Sequence, residues 1–517
     1  MKKVPRWAVT AGLTLAAVVL AASIILAVKW PFSRQSVTDS IHEIVPGTIQ
    51  IGKFRNRIFP HPGCEAYDVV VTRMSGTPGQ PPLVTVKRIS IEARYSDLFA
   101  RPGFVARIVL NGLRVHVPPR GSGENAVEDS SGQSGSEPTN TRVGEIVADG
   151  AVLEIGRRGD HPPLKFDIHS LLLKSVSRDK PFSYTLALTN AIPPGEITSQ
   201  GRFGPWNTKD AGQTPVSGSY KFQQADLSTL DGISGMLSSE DQFSGRLNQI
   251  DTRGNIEIPD FKIKERANEV PLRVRYIAAV NAINGDVFLQ QVTATFLHTT
   301  IVASGDIAGH PGKKGKITSL KFEEHDGRIE DVLRLFVKEA PPPMSGAAVL
   351  RANVLVAPEG SPFLREVSLR GDFTIAGGRF NHSHTQTSVD GLSQRARGQG
   401  QGQKNAGERQ SVTSDMESQV VLHNGAATLT NLSFKVPGAL AHMNGTYDLF
   451  TSKVDFHGTL KTEAKLSQET SGLKSILLKP LNPLFKKKNA GAEVPVRLTG
   501  TYEDPHFGFD INPVHKR

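Results

Sequence analysis

The residues that could do chemistry are few and poorly grouped. His382 and His384, in Phe380-Asn381-His382-Ser383-His384, are two apart, which in a strand sets both imidazoles on one face. A zinc-type site takes three or four ligands, and this run supplies no third. Glu240-Asp241, Glu323-Glu324 and Glu503-Asp504 are adjacent carboxylates, the groups that acid and base on one glycosidic bond would need. Neighbours along a strand project to opposite faces, so the pairs read as solvated charges at turns. Cys64 is the one cysteine. It allows no disulfide within the chain, and the preceding Pro62 and Gly63 suggest a turn rather than an activated thiol. Asn444-Gly445-Thr446 fits a glycosylation sequon, but a hairpin turn explains it fully. There is no Gly-x-Ser-x-Gly elbow, no phosphate-cradling glycine loop with its lysine, and no His-Glu-x-x-His pair. The chain does not read as an enzyme and calls for no metal or cofactor.

Binding chemistry is concentrated instead in the stretch from Leu473 to Lys488. Leu473, Ile476, Leu477, Pro480, Leu481, Leu484 and Phe485 recur at three- and four-residue steps, beside Lys474, Lys479 and the run Lys486, Lys487 and Lys488. Such spacing fits a helix packed across the end of a sheet. Pro480 and Pro483 would interrupt that helix, and cations beside an apolar stripe suit an interfacial element that meets a membrane or a protein partner. The chain carries 60 Lys and Arg against 50 Asp and Glu, a net charge of +10. No zinc knuckle, basic helix or aromatic-basic pattern accompanies that excess, so an anionic membrane surface suits it better than nucleic acid.

The elements that would position these groups are strands. From Val45 onward every second residue tends to be apolar. Leu113, Val115 and Val117 alternate with Arg114 and His116; Ile256 and Ile258 with Asn255 and Glu257. Phe373 and Ile375 flank Thr374, and Val496 and Leu498 flank Arg497. These nine apolar residues are expected to share one continuous apolar channel. Asn111-Gly112, Asp149-Gly150, Asn284-Gly285, Asn424-Gly425 and Asn444-Gly445 have the chemistry of two-residue hairpin turns. The body therefore reads as mainly β: a long antiparallel meander of about twenty strands at the usual spacing, too many for a single sandwich.

Helices are expected to be short. One starts at a capping Asp326, with Ile329, Val332, Leu333, Phe336 and Val337 on one side and prolines 341 to 343 ending it; another runs from about Ala225 to Leu237. Residues 121–141 and 391–410, rich in Gly, Ser, Gln and charge, read as flexible loops. They divide the body into 31–120, 142–390 and 411–517. Residues 1–30 form a separate unit. Trp7 to Val28 holds no charge, and at about 1.5 Å per residue it spans the roughly 30 Å hydrocarbon core of a bilayer. Lys2, Lys3, Arg6 and Lys29 bracket it, with Trp7 and Trp30 at belt positions. A cleaved signal peptide is the alternative, but four apolar residues follow Ala21-Ala22-Ser23 directly. The expected arrangement is a single-pass anchor with the bulk of the chain outside the cytoplasm.

An ordered series near the C-terminus resembles the AsmA-like proteins. It comprises Val421-Leu422-His423-Asn424-Gly425-Ala426-Ala427-Thr428-Leu429-Thr430-Asn431-Leu432-Ser433-Phe434, Val436-Pro437-Gly438-Ala439 and Gly445-Thr446-Tyr447-Asp448-Leu449. Val454-Asp455-Phe456-His457-Gly458-Thr459-Leu460, Leu478 to Lys487, Val494 to Thr501 and Pro505-His506-Phe507 continue it. Leu98 to Gly103 and Ile108 to Val115 also look AsmA-like, more loosely, and the two Gly-rich insertions depart from the pattern. The resemblance covers about a hundred residues at the C-terminus and is specific only as an ordered series. It implies a protein anchored in the inner membrane and facing the periplasm, similar to bacterial relatives of bridge-like lipid transfer proteins. It implies a long curved β-sheet with an open apolar groove, phospholipid as cargo, a role in outer-membrane assembly, and a periplasmic or outer-membrane protein partner. Two other readings stay open. The apolar face could be the dry core of a passive envelope scaffold, or the chain could be a cell-wall glycan-binding protein or enzyme.

Overall fold

In the computed structural model, which describes residues 33–510 apart from 45–46, 58, 74–79, 95, 98–103, 119–141, 157–161, 178, 208, 231, 265–267, 311–314, 338–339, 358–362, 398–410, 463–492 and 502–503, the dominant element is one 25-stranded sheet. Its ladder follows chain order with two departures. β4 (Phe104–Asn111) and β5 (Arg114–Val117) lie end to end between β3 (Val84–Glu92) and β6 (Arg142–Ile155), antiparallel to the first and parallel to the second. β11 (Ile233–Ser234) and β12 (Met236–Arg246) likewise share a place beside β13 (Gln249–Ile263). Among the described residues β1 (Thr48–Arg57) pairs only with β2 (Gly63–Thr72), and β25 (Pro505–Phe509) only with β24 (Glu493–Thr501).

The sheet is therefore mixed, where an antiparallel meander was expected, and the reason lies in two Asx-Gly pairs. Asn111-Gly112 does not reverse the chain. Gly112 takes φ +62° and kinks one continuous line of pairing from β4 into β5. Asp149-Gly150, with Asp149 directly opposite Asn111 and Gly150 at φ +63°, makes the matching kink inside β6. Both glycines supply a left-handed backbone conformation, which serves a kink as well as a turn. Asn284-Gly285 does join β14 (Val270–Val280) to β15 (Val287–Phe296). Asn424-Gly425 joins β20 (Ser414–His423) to β21 (Ala426–Val436), both turn residues at positive φ as a type I′ turn requires. Asn444-Gly445 is not a turn but the middle of β22 (Ala439–Asp448), where Asn444 Oδ1 accepts the backbone N–H of Asn431 at 2.8 Å.

Among the described residues helical content is small. α1 (Arg34–Ile44) packs Val37 and Ile41 into the core beside β1. α2 (Ile329–Phe336) forms on the expected apolar stripe, but Arg328 rather than Asp326 occupies the N-cap, without a side-chain bond. Asp326 is still in β17 (Lys316–Arg328). Asp331 in the first turn, well placed for the helix dipole, is buried and accepts the His298 N–H at 2.8 Å and the Thr299 hydroxyl at 2.9 Å. α2 is thereby tied to the start of β16 (Thr299–Gly309). Among the described residues, the helix expected over Ala225 to Leu237 does not form. Gly232 and Gly235 sit at φ +80° and +135°, and only a 3-10 turn, Leu227–Thr229, forms, with Asp226 accepting the Ser228 N–H. After α3 (Phe363–Glu366), α4 (Ser383–Ala396) corrects two expectations: it contains His384, placed above on a strand, and it extends six residues into the segment read as a loop. β19 (Val367–Phe380) pairs directly with β20, so one sheet continues across the boundary placed at 391–410. Residues 1–30, 121–141 and Leu473 to Lys488 lie outside the described residues. Among those described, no helix is long and apolar enough to cross a membrane.

Candidate functional site

Residues paired across adjacent strands point to the same face, so the pairing register can be followed from one end of the sheet to the other. Val115 lies opposite Leu153 of β6, which faces Phe166 of β7 (Leu164–Ser177). Ile168, two residues on, faces Leu188 of β8 (Phe182–Ala191). The row continues through Ile197 of β9 (Pro194–Phe203), Phe222 of β10 (Pro215–Asp226) and Ser239 of β12 to Ile256 of β13. From Ile256 it passes to Val274, Ala294 and Ile301. Ala303, on the same face as Ile301, faces Phe322 of β17, then Ala352 of β18 (Met344–Val356) and Gly371. Val420, Leu429, Gly445, Phe456 of β23 (Lys453–Thr462) and Leu498 complete it. Leu113, Val115, Val117, Ile256, Ile258, Phe373, Ile375, Val496 and Leu498 therefore all belong to one face.

They do not share one environment. Leu113 and Val115 sit in a cluster that runs from Val37 and Ile41 through β7, where Ile108, Ile146, Ile155 and Leu173 have no exposed surface, and reaches Phe182, Phe203 and Val216 on the next three strands and Leu247 and Ala282 beyond them. That third of the face is a dry core. From β8 onward the inward side chains are mostly half-buried, among them Ile256, Phe373 and Leu498, with Ile258, Ile375 and Val496 buried where smaller clusters form. α2 touches both β18 and β13 and covers part of the middle. Two adjoining recesses of about 850 and 860 Å³ open elsewhere, on the polar outward face of β8 to β15, lined by Gln200, Ser219, Gln242, Arg253 and Arg275.

The inward face also carries polar groups, where solvated charges are expected from the sequence. Within Glu240-Asp241 and Glu323-Glu324, alternation sends one carboxylate out and the other in. Asp241 is 3% exposed; its Oδ1 accepts the Tyr276 hydroxyl at 2.7 Å and its Oδ2 the Ser239 hydroxyl at 2.8 Å. Tyr220, whose hydroxyl lies 3.4 Å from that of Tyr276, completes a row in which Asp241 lies across Gly254. Burial, with the nearby carboxylate, pushes the Tyr220 phenol upward and that of Tyr276 up to about 12. Inward parity was readable at Ser239, Asp241 and Phe243; only the register could reveal that Gly254 leaves space for the carboxylate.

Glu324 is the second inward carboxylate, opposite Leu350 and 1% exposed. It lies against Gly327 at a bulge, and neither oxygen makes a well-formed hydrogen bond. Burial raises its carboxyl above the usual carboxylate range. A raised acid pKa means the fold prefers the neutral form, so the stability contributed by this group is complete below the unfolded pKa and is lost as pH rises through the folded one. Glu324→Gln should therefore melt at a higher temperature than wild type at pH 7, with the gap closing toward pH 4. An equal or lower melt at pH 7 would mean that the bulge amides stabilise the charge.

Cys64 is not in a turn but in β2, 1% exposed, and burial pushes its thiol up to about 12. Reactivity follows the thiolate and its access. Alkylation of the native chain at pH 8 should be at least about a hundredfold slower than in denaturant, and comparable rates would show that β2 opens readily. His382 is exposed, and among the described residues no three His, Cys, Asp or Glu side chains are grouped to hold a metal.

Comparison of the chain with protein-family models, with curated proteins and with solved structures finds no match.

Proposed function

We propose that this chain is an inner-membrane-anchored envelope protein whose inward β face shields or conducts phospholipid acyl chains in the periplasm and so supports outer-membrane assembly. The observation that carries this reading is one largely apolar face that can be followed strand to strand along the sheet and that from β8 onward is mostly half-buried by protein, between local buried clusters. A sheet with one apolar face must cover it. Curling into an open groove that acyl chains complete would do so, and strands about 4.8 Å apart would stack to on the order of 100 Å. The AsmA-like resemblance of the sequence leads to the same reading. The anchor at Trp7 to Val28 and the cationic segment ending in Lys486 to Lys488 would set the two membrane-facing ends, with a protein partner bridging any remaining distance.

A specific observation favours a second reading for part of the chain: from β1 to β7 the same face is dry, as in a passive scaffold. Photocrosslinkers placed in the full-length chain in cells separate the two. Inward Val354 and Leu429 should capture phospholipid, while Asn353 and Thr428, exposed on the opposite face, should not. Equal capture on both faces, or none, would remove the lipid reading and leave the scaffold.

A further inference from the structure

The apolar face is crossed midway by a polar belt, and that belt lacks a cation. In its central row Tyr220, Asp241, Gly254 and Tyr276 stand side by side on β10, β12, β13 and β14. Asp241 is 3% exposed, and among the described residues its hydrogen-bond donors are neutral hydroxyls, those of Ser239 and Tyr276 with that of Tyr220 beside them. No Lys, Arg or His of the described residues forms an ion pair with it. The adjoining row holds Gly218, Phe243 and Thr252, and the Thr252 hydroxyl, on a residue 9% exposed, finds no hydrogen-bond partner. Four inward positions here, Gly201, Gly218, Gly245 and Gly254, have no side chain. Tyr184 and Phe243 converge over Gly218, and Tyr220 lies 6.3 Å from Phe243, ring centre to ring centre. All four aromatic residues are half-buried.

A desolvated carboxylate held only by neutral donors is a costly arrangement, and a cation is what would complete it. Aromatic faces beside a carboxylate favour an organic ammonium over a metal ion. The geometry points to this belt, with Asp241 at its centre and Tyr220, Phe243 and Tyr276 around it, as a site for the ammonium group of an amphiphile. The inference deepens the lipid reading and rests on it: apolar rows on either side, through Ile256 and Val274 and through Ile250 and Val280, would take the chains. It specifies a zwitterionic amine-bearing head group over an anionic one. A free amine shares the chemistry but would not need those rows.

The test uses the full-length chain in vesicles that contain photoreactive phosphatidylethanolamine or phosphatidylglycerol with identical acyl chains. Wild type should capture the amine lipid about tenfold better on peptides of β10 to β14, the factor expected from a cation–π and charge contact. Asp241→Asn should lose that preference while still capturing both lipids. If Asp241→Asn fails to fold, Phe243→Leu serves instead: it removes an aromatic face beside the carboxylate and should lower the preference about threefold while still capturing both lipids, and an unchanged preference would overturn the inference. Capture without preference in wild type, or an unchanged preference in Asp241→Asn, would overturn the inference while leaving the lipid reading intact. Absence of any lipid capture would overturn the lipid reading and the inference in its lipid form. In that case, choline binding that is lost in Asp241→Asn would reassign the site to a free amine, and no choline binding would dispose of the site altogether.

Discussion

Aspartate in place of Val115 should destabilise the chain by about 5–6 kcal/mol at pH 7. Val115 is 7% exposed and is packed between Val84 and Leu153 in the dry third of the sheet. A carboxylate there has no cation or donor set prepared for it, so it protonates. Holding an ordinary aspartate neutral at pH 7 costs about 4 kcal/mol, the three pKa units between its normal value and the ambient pH. Lost apolar contact adds about 1–2 kcal/mol. A total of that size is comparable with the whole stability of many domains. Because most of the penalty is protonation, it should shrink by up to about 1.4 kcal/mol per pH unit on acidification. Val115→Asn lacks this dependence and is the control. Thermal melts of both variants at pH 5 and pH 7 check the prediction, and a pH-independent loss for Val115→Asp would mean that the side chain has reached water.

The strand alternation that identifies Val115 was legible because it is local. Which residues share a face follows from parity along one strand, and the nine apolar positions needed only that rule and in-register pairing to meet. Parity does not report depth. Leu113 and Leu498 carry the same local signal, yet Leu113 is 3% exposed in the large cluster and Leu498 is half-buried. That difference depends on what lies across the face, which no strand encodes by itself. The Asx-Gly pairs failed for a related reason. A glycine at positive φ marks where the backbone changes course, and whether the course reverses, as at Asn424-Gly425, or only kinks, as at Asn111-Gly112, is decided by the strands that flank it. The buried carboxylates are not legible locally, because charge by itself indicates solvent. Asp241 lies across Gly254, from a strand that precedes it in the chain by a hairpin. α4 is not legible because its Ser, Thr, Asp and Gly content gives little helix propensity; Ser393, Gln386 and Asp390 hold it through bonds to Pro437, Phe380 and Val412.

Val420 and Val421 offer the sharpest separation of lipid groove from protein core, because consecutive residues of β20 lie on opposite faces. Val420 faces inward between Gly371 and Leu429, half-buried, while Val421 faces outward and is 37% exposed. Aspartate at either position keeps access to water in the empty protein, so each should cost less than about 1.5 kcal/mol, far below the penalty at Val115. Only Val420→Asp places charge where acyl chains would lie. Covering that carboxylate with hydrocarbon carries the protonation penalty of roughly 4 kcal/mol that Val115→Asp meets in the folded state. Bound lipid would instead avoid the site. Lipid captured by a crosslinker at Leu429 in the full-length chain should then fall by at least about tenfold in Val420→Asp and stay unchanged in Val421→Asp, with both melts close to wild type. Should Val420→Asp melt as poorly as Val115→Asp, the inward face at β20 is closed by protein, and the dry core of β1 to β7 extends along the whole sheet. A normal melt with undiminished capture would place the lipid elsewhere on the molecule, away from the register row that runs through Val420.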